Sequence, residues 1–271
     1  MEKNAERQPS RATPVALRSG SECQRPPDLR RGAGEVLLGQ PSGFLLVDKP
    51  AGITSHDVVD RVRHITGIRR VGHSGTLDPF ATGLLILGVG RATKELGKFQ
   101  GLPKRYVATM HFGATSQTGD ITGTIKPSLR ATGGSVAIPS FVDMTTVCAR
   151  FLGPIHQTPP MYSAKKIGGV KLYELARAGK TIERRPNPVT IHELILIQYA
   201  WPVADIEVAC SSGTYIRTLV EDIGNALGVG AYCEQLRRTA IGFWKIEEAI
   251  QLDVLDTRGW QQHLRALDSF K

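Results

Sequence analysis

The most informative stretch of the chain is GHSGTLDPFATGLLILGVG, residues 72–90. Its second half contains a short and almost wholly apolar run, residues 84–89, which is typical of a buried β-strand. Its first half is rich in small residues and contains Asp78 directly before Pro79, and a residue that precedes proline is kept out of the helical region. The stretch therefore predicts a tight loop, open to the close approach of a ligand, that leads into a core strand.

The segment upstream of this loop, residues 43–55, reads GFLLVDKPAGITS. Its apolar run predicts a second buried strand, and the D-K-P-A-G sequence after that run predicts a turn. A helix should follow, because Thr54 or Ser55 can cap it and Gly67 supplies a stop signal. The apolar positions of this helix repeat at helical spacing and are Val58, Val59, Val62 and Ile65.

Further strands and one more long helix are predicted downstream. Apolar side chains alternate in residues 106–112, and residues 191–199 and 204–210 also have the pattern of strands. An apolar stripe over residues 216–227 predicts the helix. Because strands and helices mix without a strict βαβ rhythm, we expect an α+β fold with a central mixed, largely antiparallel sheet flanked by helices.

A basic stretch at residues 154–182 contains a Gly-Gly pair and a short helical pattern at residues 172–178. Such a segment predicts a protruding loop with its own helix, suited to gripping a phosphate backbone. From the residues alone, a solvated surface excursion explains the charges equally well. The basic residues are Lys165, Lys166, Lys171, Arg177 and Lys180.

The two ends of the chain differ from the part between them. Residues 1–42 are rich in Arg, Ser, Pro and Gly and have hardly any periodic apolar positions, so we expect a disordered basic extension there. Interspersed acidic residues favour a passive tail or a mis-assigned start over an organelle transit peptide, and loose RNA contacts by the arginines stay open. We expect one folded domain at residues 43–253 and only a short C-terminal segment at residues 254–271.

The charge of the chain indicates a polyanionic partner. Lys and Arg number 34 against 25 Asp and Glu, a formal net charge of +9, and each phosphate that a basic protein neutralises releases a counterion. Charge alone leaves a basic but otherwise ordinary enzyme as an alternative. No apolar run approaches the roughly 18 residues of a membrane helix, and the first residues lack a secretory signal, so we expect a cytoplasmic protein without a membrane partner.

Neither a metal site nor a redox centre is predicted. The cysteines are far apart and contain no C-x-x-C pair, and His192 begins H-E without the second histidine of H-E-x-x-H. We therefore expect reduced, mostly buried thiols and no metal. The cysteines are Cys23, Cys148, Cys210 and Cys233.

Asp78 is the most unusual acidic residue, and its surroundings allow two interpretations. Small neighbours and the following proline suit a nucleophilic or basic carboxylate that a substrate can approach closely. On its own, however, an Asp-Pro pair in a loop most often caps a turn.

A resemblance to a known family favours the first interpretation. Residues 43–55 and 72–94 closely resemble the opening motifs of the TruB tRNA pseudouridine synthases, and the similarity continues in sequence order to about Gly242, over some three-quarters of the chain. The later segments that resemble family motifs are the K-x-Y motif at residues 104–106, the start of the thumb loop at residues 157–166, the helix of that loop at residues 172–177, CSSGTYIRT at residues 210–218 and LRRT at residues 236–239. The whole thumb loop would span about residues 154–182.

The resemblance implies a pseudouridine synthase fold and a reaction without a cofactor. A uridine in the T-loop of tRNA, at position 55, would be flipped out, cleaved from its ribose by an aspartate-dependent step, rotated and rejoined through carbon. The T-arm of tRNA would be the partner of a monomeric enzyme that requires no protein partner. The residues that the resemblance places in catalysis are Asp78, Arg217 and Tyr106, and those that it places in substrate binding are His73, Tyr215, Leu236, Lys49, Lys165 and Lys166.

These residue types suit the implied roles. Desolvation would raise the pKa of Asp78, and the guanidinium of Arg217 can keep the carboxylate charged and oriented. Tyr106 offers a flat face and a hydroxyl to a flipped base, Tyr215 would pack beneath the sugar and base, and Leu236 would close the wall. His73 is interpreted as an RNA contact, with a structural histidine as the alternative.

Three questions stay open at this level. A carboxylate can attack the anomeric carbon or abstract a sugar proton, and the sequence favours neither. A tRNA chaperone without chemistry is the rival function. A glycosidase is a third possible function, but it would need a second carboxylate near Asp78, for which Asp57, Asp60 and Asp120 are the candidates. Many relatives carry a C-terminal PUA domain, and too few residues follow Gly242 here for a complete one.

Overall fold

The computed structural model describes residues 41–128 and 138–266. The extension predicted at residues 1–42 therefore lies almost wholly outside the described residues, as does the end of the short C-terminal segment. The described strands are β1 (Gly43–Lys49), β2 (Val71–His73), β3 (Thr82–Val89), β4 (Lys104–Phe112), β5 (Ala114–Ser116), β6 (Ile125–Pro127), β7 (Gly153–Gln157), β8 (Lys166–Ile167), β9 (Val170–Lys171), β10 (Asn187–Ala200), β11 (Val203–Cys210), β12 (Ala231–Ile241), β13 (Trp244–Lys245) and β14 (Ile250–Gln251). The described α-helices are α1 (Ser55–Thr66), α2 (Gly97–Gln100), α3 (Phe141–Ala149), α4 (Leu172–Arg177) and α5 (Ile216–Ala226).

One ten-stranded sheet organises the described chain. Its main path runs β14-β1-β3-β12-β4-β11-β10-β7, and β2 and β13 pair with β3 and β12 at its side. The β1–β14 and β3–β12 pairs are parallel, and the other pairs of this sheet are antiparallel. The predicted α+β class with a mixed, largely antiparallel sheet is confirmed.

Helix α1 shows why the sequence folds locally as predicted. Thr54 accepts from the backbone N–H of Asp57 while the Asp57 side chain accepts from the backbone N–H of Thr54, a capping box that satisfies two donors at the helix start. Gly67 ends the helix in the left-handed conformation, at φ 70°. The buried valines of α1 pack on β1 and β3 and so fix the helix over one end of the sheet.

Strand β12 lies at the centre of the sheet, although the sequence analysis identified only a short motif in it. It pairs with β4 along most of its length and meets β3 at Thr82 and Gly83. Gly83 has φ 108°, and a Cβ there would lie 2.3 Å from the main-chain oxygen of Arg238. Only glycine therefore allows the two strands to cross this closely, directly after the Asp78 loop.

The basic excursion begins later than residue 154. Residues Gly153–Gln157 form the edge strand β7, which pairs with β10, because alternate residues of this segment fit the sheet. The excursion after Gln157 contains the short hairpin β8–β9 and helix α4, whose Leu172 is fully buried. The predicted helix at residues 172–178 is thus confirmed to within one residue.

The described C-terminal residues pack on the same domain. Leu255 and Trp260 are buried in the cluster under α1, and Arg265 exchanges two backbone hydrogen bonds with Phe44 of β1, at 2.9 and 2.8 Å. Among the described helices, none has both the length and the apolar character needed to cross a membrane.

Candidate active site

The loop that carries Asp78 is held from three sides, and the first tie comes from helix α1. The buried hydroxyl of Ser55 accepts from the Leu77 N–H at 2.8 Å and donates to the Leu77 carbonyl at 3.2 Å. The backbone N–H of Gly52 donates to the Pro79 carbonyl at 2.8 Å. The residues on both sides of Asp78 are therefore fixed to the turn and helix that follow β1.

Lys49 supplies a second tie from inside the protein. It is fully buried, and its ammonium donates to the carbonyls of Pro50, Ile53 and Pro79 at 2.8, 2.7 and 3.3 Å. Burial lowers the pKa of Lys49 to about 8, while the nearby Asp78 favours the charged form. The resemblance places Lys49 in substrate binding, but the structure gives it no exposed surface and directs its donors to the loop backbone.

Arg238 makes the third tie and was given no role from the sequence. It is almost fully buried in β12, and its guanidinium donates to the carbonyls of Leu84, Thr76 and Gly75 at 2.8, 3.3 and 3.3 Å. Lys104 of the K-x-Y motif acts similarly nearby, since its ammonium donates to carbonyls of the α2 region. Burial and the charge of Arg238 lower the pKa of Lys104 to about 8.

The loop delivers Asp78 to Arg217, as predicted. The Nε of Arg217 lies 2.8 Å from the Oδ2 of Asp78, and the side chains are 4% and 32% exposed, so the carboxylate faces the open side of the pair. Burial raises the pKa of Asp78 above its ordinary value, and the guanidinium of Arg217 opposes that rise. The guanidinium thus orients the carboxylate and stabilises its ionised form against the desolvation of the site.

Arg217 also joins the carboxylate to two other segments. One Nη donates to the Thr118 carbonyl at 2.6 Å and lies 3.3 Å from the Oδ2 of Asp120. The other Nη donates to the carbonyl of Tyr162, in the excursion, at 2.8 Å. All three nitrogens of this guanidinium thus have partners, which gives the side chain one orientation.

Asp120 is the candidate carboxylate that the fold brings into the site. Its side chain is 6% exposed, and Oδ1 accepts from the Thr118 hydroxyl and from Thr122. Its negative charge contributes to raising the pKa of Asp78. The other two candidates lie elsewhere, since Asp57 caps α1 and Asp60 pairs with Arg63.

A cavity of about 310 Å³ opens at Asp78 and contains most of the predicted site residues. Tyr106 and Leu236, on the paired strands β4 and β12, lie in its wall together with Tyr215 at the start of α5. Gln157 fixes Tyr215 by accepting from its N–H at 2.9 Å and donating to its carbonyl at 3.2 Å. Burial raises the pKa of both tyrosines, so their phenols stay protonated at neutral pH.

A second cavity, of about 560 Å³, lies against Asp78 and shares Arg217 with the first. His73 lies in its wall, its Nδ1 is buried without a hydrogen-bond partner among the described residues, and burial lowers its pKa. Residues of the excursion form the opposite wall and include Lys171 and Arg177, both placed 5.4 Å from the ring centroid of Tyr173.

The two predicted lysines of the excursion have different positions. Lys165 lies in the wall of the cavity that holds Tyr106, whereas Lys166 is exposed on β8 and lies in neither cavity wall. The structure therefore places His73 in the wall of the second cavity. Around the first cavity it brings together Asp78, Arg217, Tyr106, Tyr215, Leu236 and Lys165.

The chemistry available here is that of the Asp78 carboxylate, paired with Arg217, beside a cavity with two tyrosines in its wall. Cavities of this size take small ligands or a single base, and the aromatic walls suit stacking. Within residues 41–128 and 138–266, no three His, Cys, Asp or Glu side chains come together in a way that could hold a metal ion.

Comparison with known proteins identifies one family. The model of the TruB family pseudouridylate synthase N-terminal domain matches residues 63–216, and that of the tRNA pseudouridylate synthase B C-terminal domain matches residues 217–269. The tRNA pseudouridine synthase B of Bordetella pertussis (strain Tohama I) is 46% identical over 213 residues, 79% of this chain and 86% of that protein. The protein of the same name from Burkholderia pseudomallei (strain 668) is 45% identical over 214 residues, 79% of this chain and 69% of that protein.

Solved structures show the same fold. A chain in the crystal structure of a Cbf5-Nop10-Gar1 complex matches with a TM-score of 0.63 at 28% identity, over 84% of this chain and 57% of that one. A chain in the structure of an H/ACA RNP bound to a substrate RNA containing 2′-deoxyuridine matches with a TM-score of 0.59 at 27% identity, over 84% of this chain and 56% of that one. On the family match and these identities, the chain belongs to the TruB family of pseudouridylate synthases, which are isomerases.

Proposed function

We propose that this chain isomerises the uridine at position 55 in the T-loop of tRNA to pseudouridine, with Asp78 as its catalytic residue. The observation that carries the proposal is the Asp78–Arg217 pair, at 2.8 Å, on the wall of an aromatic cavity. The similarity to tRNA pseudouridine synthases B supports tRNA as the substrate.

The reaction needs one carboxylate and no external reactant. The bond between the ribose C1′ and the base N1 breaks, the uracil turns, and its C5 joins C1′. The C5 proton then leaves and N1 takes up a proton, so that the product is an isomer of the substrate. The Asp78 carboxylate either attacks C1′ and is later displaced, or takes a proton from the sugar and returns it. In both cases Asp78 must be ionised, which the Arg217 guanidinium favours against desolvation.

The cavity walls provide for the base. The aromatic side chains of the cavity suit a uracil that has left its stack, with Tyr106 against the base and Tyr215 beneath the sugar. The Tyr106 hydroxyl, protonated at neutral pH, would lie near the C5 proton. Leu236 limits the depth of the pocket.

The excursion after Gln157 would bind the T-arm. Lys165 and Lys166 lie at its start, and Lys171 and Arg177 face the second cavity. Such side chains contact phosphates without reading sequence, and His73 would contact the loop from the other side. We also propose that the enzyme is monomeric and cytoplasmic and that it requires no protein partner.

A tRNA chaperone is the second candidate, favoured by the basic excursion and by the formal charge of +9. The buried partner of Asp78 argues for catalysis as well, since a pure RNA binder gains nothing from placing a carboxylate against a polyanion. The two activities are compatible.

Asp78→Asn tests the proposal. Unmodified tRNA is incubated with each protein, and pseudouridine is mapped by carbodiimide-dependent stops of reverse transcription. We expect a stop at the T-loop uridine with the wild type and none with Asp78→Asn, while the Kd for tRNA changes by less than about threefold because Asn keeps the shape of Asp. Asp60→Asn, an exposed change in α1, is the matched control and should modify tRNA normally. A stop at another position, or full activity of Asp78→Asn, would refute the assignment.

A further inference from the structure

Glu221 lies behind the catalytic pair and has no role so far. It is half-buried on α5, one turn after Arg217, and its carboxyl packs on Gly119. A Cβ at Gly119 would lie 2.9 Å from the Oε1 of Glu221 and 3.5 Å from the Cβ of Arg217. Gly119 has φ 74°, so this contact uses a position where glycine is favoured and leaves no gap between helix and turn.

The turn that Glu221 supports is the one that holds Arg217. Thr118, on one side of Gly119, gives its carbonyl to the guanidinium, and Asp120, on the other side, gives its carboxylate. The turn is also joined to β12, because Cys233 exchanges backbone hydrogen bonds with Gly119 and Ile121. Glu221 therefore packs against the segment that orients the guanidinium.

The charges around Arg217 are unbalanced. Asp78 and Asp120 already pair with it, and Glu221 would be a third carboxylate, with Asp222 beside it on the same helix. Burial, Asp222 and Asp120 raise the pKa of Glu221 to about 7, against the opposing effect of Arg217. The thiol of Cys233 adds no charge, because burial raises its pKa.

We propose that Glu221 is a positioning residue for Arg217. Glu221 does this as an uncharged acid, and when it ionises it draws the guanidinium's attraction away from Asp78. The proposal rests on the proposed role of Asp78. In its uncharged form Glu221 fills the space at Gly119 and leaves Arg217 to two carboxylates. In its ionised form it adds a third negative charge, which disfavours the ionised form of Asp78.

The test compares kcat and KM for tRNA between about pH 6 and pH 8.5 in the wild type and in Glu221→Gln, an isostere of the uncharged acid. Two buried lysines also titrate near pH 8, so the ratio of the two kcat values isolates Glu221. We expect the ratio of variant to wild type to rise at least about fivefold across this range, without a change in KM, because few wild-type molecules keep the acid protonated at the upper limit. Glu247→Gln, the same change at an exposed site, should leave the ratio constant.

A second measurement needs no variant. The carboxyl carbon of Glu221, followed by NMR in wild-type protein labelled with 13C-glutamate, should titrate between about pH 6 and pH 8. A midpoint below about pH 5 would overturn the proposal, as would a constant kcat ratio or an inactive Glu221→Gln in an otherwise active system. Wild type that forms no pseudouridine at any pH would instead refute the proposed function, so the two failures are distinguishable.

Discussion

Replacing Ser55 by alanine tests whether helix α1 positions the loop that carries Asp78. Ser55 is 2% exposed, and its hydroxyl contacts both the N–H and the carbonyl of Leu77, at 2.8 and 3.2 Å. Alanine leaves both groups without this partner, and an unsatisfied buried polar group costs about 1–3 kcal/mol. We therefore expect Ser55→Ala to lower the free energy of unfolding by about 2–4 kcal/mol.

The same change should slow catalysis. Leu77 directly precedes Asp78, and a displacement of about 1 Å in a catalytic group can cost a factor of about 100 in rate. The ties from Lys49 and Arg238 remain, so we expect kcat to fall by about tenfold and KM for tRNA to stay within about twofold. The assay is single-turnover pseudouridine formation at about 25 °C, together with denaturant unfolding of each protein.

Ser140→Ala is the matched control. Ser140 caps helix α3 through its hydroxyl, in a capping box with Asp143 far from the cavity walls. Its loss should cost about 1 kcal/mol of stability and leave kcat unchanged. Equal losses of kcat in both variants would show that lowered stability, rather than loop position, slows the reaction. Wild-type kcat in Ser55→Ala would refute the positioning argument itself.

Two further predictions concern the cations of the site. Arg217→Lys should lower kcat by about 100- to 1000-fold and change tRNA binding little, because an ammonium cannot reproduce the guanidinium fork that joins Asp78, Asp120 and the Tyr162 carbonyl. A single-turnover assay measures this loss, and a decrease in kcat of under threefold would contradict the prediction. Lys49 has a pKa of about 8 in the folded protein against 10.5 in its ordinary state, so the unfolded chain binds more protons between these values. The loss of folding stability that comes from burying charged Lys49 is therefore complete below the folded pKa and decreases as pH rises above it. Denaturant unfolding of wild type and Lys49→Met should therefore show a difference in unfolding free energy that changes by about 2 kcal/mol in favour of the wild type from about pH 8 to about pH 10, and a constant difference would exclude a shifted Lys49.

The sequence was sufficient for the elements whose signals are local. The capping box and the terminal Gly67 define α1, alternation defines β4, and the apolar run defines β3. The pairing of Asp78 with Arg217 was predicted by resemblance to a family, and the structure places the two side chains 2.8 Å apart. No local pattern would have brought together two residues so far apart in the chain.

The parts that the sequence did not predict depend on tertiary contacts. Asp120 lies in a polar, glycine-containing turn like many others, and it becomes part of the site only because β12 holds that turn beside α5. Arg238 resembles a surface arginine in sequence, although it is 2% exposed. The resemblance placed Lys49 in substrate binding, whereas its three carbonyl acceptors come together only in the folded chain.

Three buried cations, two in the cavity wall and one beneath the Asp78 loop, have a consequence for the dependence of RNA binding on ionic strength. Lys49, Lys104 and Arg238 donate to main-chain carbonyls, which carry no formal charge, so much of their positive charge remains to act on a phosphate backbone above the cavity. Dissolved ions screen exposed lysines within about 10 Å at 0.1 M salt, whereas they screen buried charges much less. Rising salt should therefore weaken the binding of RNA by the surface lysines well before it removes the attraction that comes from the buried cations beneath the cavity.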